Sequence, residues 1–321
     1  MGFQLQCGVV GMIQDTENRA KHPATAASKA RGDKLWRYFV ISLPYLWLLL
    51  FFLAPFAIVL KISLATPVVA QPPFTQSLDL SAGAQQWFLA TLDNYRFLTE
   101  DNLYWISYLK SIKIAAVSTL LCLLIGYPMA YGIATASQRK RNLLLMLVIL
   151  PFWTSFLLRV YAWMGLLGKQ GVINSLLLKM GFIDSPLQML YTDMAVYLGI
   201  VYTYIPFMIL PLYASLEKMD VALHDAAADL GAKPWQRFID ITLPLSLPGI
   251  IAGSLLVFIP AIGEYVIPAL LGGLDSLMIG RTLFDEFFVN RDWPLASAVA
   301  IILLFILVIP IMLLQRIQRE P

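Results

Sequence analysis

Charged side chains are scarce in this chain of 321 residues, since Asp, Glu, Lys and Arg together make up 13% of it. Soluble domains carry about 25%. Cysteine is scarce as well: Cys7 lies in a polar segment and Cys122 in an apolar run, so they do not suit the disulfide framework of a secreted domain. The histidines, His22 and His224, lack metal-ligand spacing and have no patterned nucleophile beside them. These absences argue against a zinc site and against a membrane-embedded enzyme.

The chain also lacks a phosphate loop of the type Gly, four residues, Gly-Lys-Ser/Thr. It is therefore not expected to bind ATP itself, and we expect no cofactor or metal in it. Its net charge is only +3. The excess of basic residues is distributed as expected for orientation in a membrane and attraction to anionic lipid, so no nucleic-acid partner is predicted.

Apolar residues are abundant, at 59% of the chain with a mean hydropathy of +0.72. Runs of about 20 apolar residues are long enough to cross a hydrocarbon core of about 30 Å as helices, which satisfy their own backbone hydrogen bonds in lipid. The sequence predicts an all-α membrane protein with six transmembrane helices. The predicted spans are 39–60, 112–134, 143–163, 194–212, 250–270 and 296–314.

The basic residues predict the orientation, because short cytoplasmic loops retain Lys and Arg. Placing both termini in the cytoplasm puts fourteen of the 23 basic residues on that side. Residues 1–34 then form a flexible cytoplasmic lead without a cleavable signal, and residues 35–321 form the membrane domain. The loop 63–111 faces outward, with one or two short interfacial helices, and the loop 214–249 faces the cytoplasm. The fourteen basic residues placed on the cytoplasmic side are Arg19, Lys21, Lys29, Arg31, Lys34, Arg37, Arg139, Lys140, Arg141, Lys218, Lys233, Arg237, Arg316 and Arg319.

The cytoplasmic loop has the signals of two helices. Asp220 is a suitable N-cap, 221–230 has the pattern of a helix, and Gly231 supplies a left-handed cap. Pro234 begins a second helix, and Leu243-Pro244 is predicted to turn the chain back toward the bilayer. The small residues of the first helix favour close docking on another protein. The alternative is an amphipathic helix that lies on the membrane surface.

The same loop contains an acid followed by small and apolar residues at fixed spacing. These residues are Asp225, Ala226, Ala227, Gly231, Ile241, Leu243 and Pro244. The pattern resembles the loop of the permease subunits of bacterial binding-protein-dependent ABC importers, with Asp225 in place of the usual Glu. The resemblance implies the type I ABC importer permease fold, in which this loop is a coupling helix seated in a cleft of a separate ATPase.

A wider resemblance, from Tyr38 to Gln315, is to the putrescine and spermidine importer permeases. It implies polyamine transport, with putrescine the first candidate, across the bacterial inner membrane. It also implies a second homologous permease, two copies of an ATPase that binds ATP and Mg, and a periplasmic polyamine-binding protein. The stretches that carry it are 149–156, 159–165, 263–273 and 290–294.

Glu264 is the one acid within a predicted span. An ionised residue there costs roughly 2.5–3.5 kcal/mol unless it faces protein or water, which makes it a candidate for contact with a polycation. Aromatic faces nearby would add cation–π contacts. A competing hypothesis pairs Glu264 with Arg159 inside the membrane, and the aromatic residues also suit packing. The aromatic candidates are Trp153, Tyr161, Trp163, Tyr202, Tyr204 and Tyr265.

Four acids, Asp275, Asp285, Glu286 and Asp292, fall outside the predicted spans and are interpreted as solvated loop charges. The alternative is that they guide a cation toward the mouth of the path or contact the binding protein. Two alternative functions remain open at this point. The first is a permease of the same architecture that carries another solute. The second is a self-contained secondary transporter, which would be expected to have inverted repeats with broken helices, and no such symmetry is visible.

Overall fold

A computed structural model describes residue 38 and residues 40–75, 92–273 and 276–317. The predicted cytoplasmic lead lies outside these residues. Every helix or strand segment of more than one residue in the described ranges is helical. The helices are α1 Val40–Ser63, α2 Asp93–Glu100, α3 Asn102–Ala134, α4 Gln138–Ile149, α5 Phe156–Leu167, α6 Val172–Lys179, α7 Asp193–Leu216, α8 Val221–Asp229, α9 Pro234–Ile262, α10 Val266–Leu270, α11 Ile279–Phe284 and α12 Trp293–Ile317.

Contacts divide the chain between Lys61 and Ile62. The described part of the first unit is most of α1, an apolar helix whose middle is a π turn at Leu49–Leu53. The second unit contains the other helices. Four described helices, α1, α3, α7 and α9, are long and apolar enough to cross a membrane. A fifth span results if a bent pair is counted as one, and α12 contributes a shorter apolar stretch.

The bent pair replaces the predicted third span, 143–163. After α4 a 3₁₀ turn at Leu150–Trp153 ends the first arm, and the second arm turns away by 90°. Thr154 is extended and its hydroxyl donates to the carbonyl of Pro151 at 2.8 Å. A side chain that bonds to nearby backbone in this way competes with helix continuation, so the predicted single helix is broken here.

The fifth predicted span also differs from the structure. We expected a turn at Leu243-Pro244 and a helix over 250–270, whereas α9 is continuous from Pro234 to Ile262. A π turn at Phe238–Thr242 lies at its start, where the Leu243 amide donates to the Phe238 carbonyl. This wider turn changes the hydrogen-bond register just before Pro244, which has no amide to donate. The helix ends at Gly263, and the predicted last turns form the separate helix α10.

The core of the second unit is built around α3, α7 and α9. Two glycines of α9 allow it to lie close to α7: a Cβ on Gly249 would lie 2.7 Å from Ser215 Cβ, and one on Gly253 would lie 2.9 Å from Met208 Sδ. The Tyr127 and Ser246 hydroxyls, 2.9 Å apart, join α3 to α9. Cys122 of α3 is fully buried in this core and packs among apolar residues of α7 and α9.

The outward loop is shorter than predicted, because α3 begins at Asn102 rather than near 112. The Asp101 side chain caps α3 by accepting from the Leu103 amide at 2.8 Å. One short helix, α2, lies in the loop, and its buried Asn94 donates to the carbonyls of Ser63 and Ala65. Residues 76–91 of the predicted loop lie outside the described residues.

Candidate functional site

The helix predicted at 221–230 is present as α8, which begins at the predicted Val221 and ends one residue early, at Asp229. The Asp220 side chain accepts from the Ala222 amide at 2.9 Å, which confirms the N-cap. Gly231 has a φ of +84°, a left-handed conformation that glycine adopts without strain. The Ala232 amide donates to the Ala227 carbonyl and closes the helix end. Pro234 begins the next helix, as predicted.

The seven spaced residues from Asp225 to Pro244 that resemble the coupling loop are called the coupling pattern here. The structure divides this pattern between two helices. Asp225 and Ala226 are exposed on α8, Ala227 is half-buried, and Gly231 follows at the exposed turn. The second half of the pattern lies in the first turns of α9, where Ile241 is half-buried and Leu243 and Pro244 are exposed.

This region presents large apolar side chains to its surroundings. Leu230 is 89% exposed and Trp235 is 60% exposed. A groove of about 660 Å³ runs beside α8, between the last turns of α7 and the middle of α9. Exposed apolar residues beside small residues suit a protein partner, because small side chains allow close approach.

Glu264 lies in the break between α9 and α10 and is only 8% exposed. One carboxylate oxygen accepts from the Tyr204 hydroxyl at 2.5 Å, and the other from the amides of Val266 and Ile267 at 3.1 and 3.4 Å. The break is packed closely, since a Cβ on Gly280 would collide with the carbonyl oxygen of Gly263. Three donors therefore hold a buried carboxylate at the point where a long helix stops.

The predicted ion pair between Glu264 and Arg159 is not formed in this structure. The Arg159 guanidinium instead lies over the rings of Phe152 and Phe156, 5.5 and 5.9 Å from their centroids. Its Nε and Nη1 atoms are buried without an acceptor. Arg159 lies just after the bend that breaks the predicted third span. Glu264 instead accepts hydrogen bonds from nearby backbone amides and from Tyr204 of α7.

The predicted aromatic candidates do not form one cluster. Tyr204 contacts Glu264 directly, whereas Tyr265 stacks on Phe284 with ring centroids 3.9 Å apart. Trp163 and Tyr202 meet edge to face at 5.4 Å and line an apolar groove of about 450 Å³.

The two remaining aromatic candidates are exposed. Trp153 is 77% exposed at the end of the 3₁₀ turn, and Tyr161 is 53% exposed on α5. Of the aromatic set, only Tyr204 therefore shares a hydrogen bond with the candidate acid.

The prediction that Glu286 is a solvated loop charge is wrong. It is 8% exposed, and its carboxylate accepts from the Tyr104 hydroxyl at 2.7 Å and from the Asn290 amide at 2.9 Å. Burial raises the pKa of the Asp292 carboxyl above its usual value, with a further rise from Glu286 that opposes the lowering effect of the Leu295 amide. Tyr104 and Glu286 are 182 residues apart, so no local pattern could have revealed the pair. Asp275 lies outside the described residues.

Comparison with known proteins identifies the family. The model of the binding-protein-dependent transport system inner membrane component family matches residues 122–319, more than half of the chain. The chain belongs to this family. The matched range of this permease contains α8, the whole coupling pattern and the Glu264 break.

Similar curated proteins support the assignment. The permease is 41% identical over 262 residues to the spermidine/putrescine transport system permease protein PotB of Haemophilus influenzae, covering 81% of this chain and 86% of that protein. It is 44% identical over 229 residues to PotB of Escherichia coli, covering 71% and 83%.

A solved structure shares the fold. A bacterial ABC transporter involved in the import of the acidic polysaccharide alginate matches with a TM-score of 0.63 over 90% of this chain and 96% of that chain, at 18% identity. This likeness places the permease in the same architecture as an importer subunit and says nothing of its substrate.

Proposed function

We propose that this permease is a non-catalytic membrane subunit of an ATP-driven importer that carries a polyamine across the bacterial inner membrane. The observation that carries the proposal is the 41–44% identity to spermidine/putrescine permeases over most of the chain. Putrescine is the first candidate and spermidine the second, and the relatives' names include both.

The complete transporter would contain four kinds of subunit. They are this chain, a second homologous permease, two copies of an ATPase that binds ATP and Mg, and a periplasmic polyamine-binding protein. The family description, a binding-protein-dependent system, supports the last of these. The matching alginate importer has also been solved in complex with a periplasmic protein that carries an alginate pentasaccharide. We further propose six spans with both termini in the cytoplasm, as the distribution of basic residues predicts.

The course of α9 suggests how the permease couples ATP hydrolysis to transport. The helix begins at Pro234, three residues after Gly231, and ends at Ile262, two residues before Glu264. At 1.5 Å per residue its 29 residues extend about 43 Å. A displacement of the docking region would therefore be transmitted along one continuous helix to the buried carboxylate. Because the sequence predicted a turn at Leu243-Pro244, this connection is visible only in the structure.

Glu264 is the group we propose to contact the substrate ammonium. A carboxylate has about four lone-pair sites, and three donors already use sites on Glu264. The remaining site can accept from an ammonium group without loss of the existing bonds. The fixed donors would hold the carboxylate in one orientation, which suits a group that must contact a cation and then release it.

Transport in proteoliposomes tests this function. The vesicles would contain this permease, its partner permease, the ATPase and the binding protein, and the measurements would be ATP hydrolysis and uptake of radiolabelled putrescine and spermidine. The expected result is uptake that requires all four components and stimulates hydrolysis. Stimulated hydrolysis without uptake of either polyamine would overturn the substrate, and uptake by this chain alone would overturn the coupled mechanism.

A further inference from the structure

A cavity of about 540 Å³ lies beneath α8, among the last turns of α3 and α7 and the first turns of α4 and α9. Its lining contains two arginines, Arg141 and Arg237, together with Tyr131, Thr242 and the acid Glu217. We call it the arginine pocket. The coupling pattern does not include these residues.

The two arginines differ in how their charges are neutralised. Arg141 forms an ion pair with Glu217, at 2.8 Å, and also donates to the Ala134 carbonyl at 2.8 Å. Arg237 has no carboxylate within 4.0 Å among the described residues, since the ion pairs found there involve other cations. Its Nη1 donates to the His224 carbonyl over 3.5 Å, and its Nε is buried without an acceptor. The pocket therefore holds one guanidinium charge in excess.

An excess guanidinium in a partly enclosed pocket favours an anion, because a charge that is removed from water without a partner is destabilising. Guanidinium groups bind phosphate through a planar fork of donors, and basic pockets between membrane helices hold anionic headgroups. The pocket lies among helix ends, since α3 ends at Ala134, α4 begins at Gln138 and α7 ends at Leu216. In the proposed orientation these ends meet the lipid headgroups on the cytoplasmic side. Exposed apolar residues of the same region, Phe238 and Ile239, offer contacts to acyl chains. A phospholipid can contact both the guanidinium and the exposed apolar residues, whereas a free phosphate ion can contact only the guanidinium.

We propose that the arginine pocket binds the phosphate of an anionic phospholipid through Arg237. The inference rests on the proposed function, because the orientation proposed there places the pocket on the cytoplasmic side of the membrane. Because Arg237 also contacts the carbonyl of His224 in α8, a lipid bound there would join the coupling helix to the start of α9. Anionic lipid would then stabilise the arrangement in which the two halves of the coupling pattern lie together.

Native mass spectrometry of the intact permease complex tests the proposal. The complex would be released from nanodiscs that contain equal amounts of dioleoyl phosphatidylglycerol and dioleoyl phosphatidylcholine, and the retained lipid would be identified. The expected result is preferential retention of phosphatidylglycerol. Arg237→Gln should weaken its apparent affinity at least about tenfold, because it removes both the charge and the charge-assisted hydrogen bonds to the phosphate.

Arg139→Gln is the matched control, because it removes the same charge from an exposed residue of α4. The affinity of this variant for phosphatidylglycerol should fall about fivefold at most, because Arg139 contributes only the general attraction of a basic residue near the surface. If the wild-type complex retained phosphatidylglycerol and phosphatidylcholine equally, that result alone would overturn the proposal. Equal weakening by both substitutions would overturn the role of Arg237, and displacement of the lipid by millimolar inorganic phosphate would overturn the choice of lipid. These readouts need no polyamine, so they are independent of the substrate assignment.

Discussion

Glu264 shows how a single residue combines two demands inside a membrane protein. A buried carboxylate is tolerated when donors replace its lost water, and here one hydroxyl and two backbone amides do so. The amides come from the first residues of α10, so the side chain also caps that short helix. The same carboxylate is the group we propose to contact the substrate, so a structural role and a transport role would coincide in one residue.

Two substitutions separate these roles. Glu264→Gln removes the charge, so we expect uptake of putrescine to fall at least tenfold at equal expression. Tyr204→Phe removes one donor and keeps the charge, so it should retain most uptake and lower the thermal midpoint by about 5 °C, given about 1.5–3 kcal/mol for a hydrogen bond to a charged group. Uptake and thermal unfolding in detergent would be measured on the same preparations.

Tyr202→Phe is the control for Tyr204→Phe, since Tyr202 lies on the same helix and packs against Trp163. We expect neither measurement to change in it. If Glu264→Gln lowered thermal stability and left uptake unchanged, the carboxylate would have only a structural role.

At the scale of elements, the predicted caps of α8 are confirmed because each depends on only a few neighbouring residues. An aspartate that accepts from the amide two residues on, and a glycine at positive φ, need no distant partner. The third and fifth predicted spans were displaced because hydropathy does not reveal a break between apolar residues. The bend at Thr154 and the end of α9 at Gly263 both lie in apolar surroundings.

Gly231 provides a test of the coupling element. Among the described residues, apart from its chain neighbours, no atom lies within 4 Å of a Cβ placed there, so a side chain would project into the space that a partner would occupy. Gly231→Trp should therefore leave the permease in the membrane and reduce uptake at least tenfold. The measurement is uptake in proteoliposomes, with binding of the ATPase by pull-down as a second readout.

Gly181→Trp is a closely matched control. Gly181 also has a positive φ, +70°, and open space around its Cβ position, but it follows α6 and lies outside the coupling pattern. Each substitution imposes a similar backbone strain of about 1–2 kcal/mol. Normal uptake in Gly231→Trp, or an equal loss in both variants, would exclude docking at this turn.

At the scale of the whole molecule, close packing of α7 and α9 holds the core of the second unit together. The two helices approach so closely at Gly253 that a Cβ would lie 2.9 Å from Met208 Sδ and 3.1 Å from the Met208 carbonyl oxygen. Small residues at such crossings allow van der Waals contact between helices, which is the main source of helix association in lipid.

Gly253→Leu should accordingly lower the thermal midpoint by about 5 °C or more, since overpacking costs typically 1–3 kcal/mol. The control is Gly165→Leu on α5, where a Cβ would have no neighbour within 4 Å. Thermal unfolding in detergent, followed by intrinsic fluorescence, compares the two. An equal midpoint in both variants would contradict the importance of the crossing.

The sequence by itself determined the membrane class, the spacing pattern from Asp225 to Pro244 and the two caps of α8, Asp220 and Gly231, because composition and short-range hydrogen bonding decide these features. Only the tertiary structure decided that Glu264 bonds Tyr204 rather than Arg159, that Glu286 is buried against Tyr104, and that α9 connects the coupling region to the helix break. The partners in these hydrogen bonds are 60 and 182 residues apart along the chain. Which distant groups meet depends on where helices bend and how closely they cross, and the order of apolar residues does not specify either.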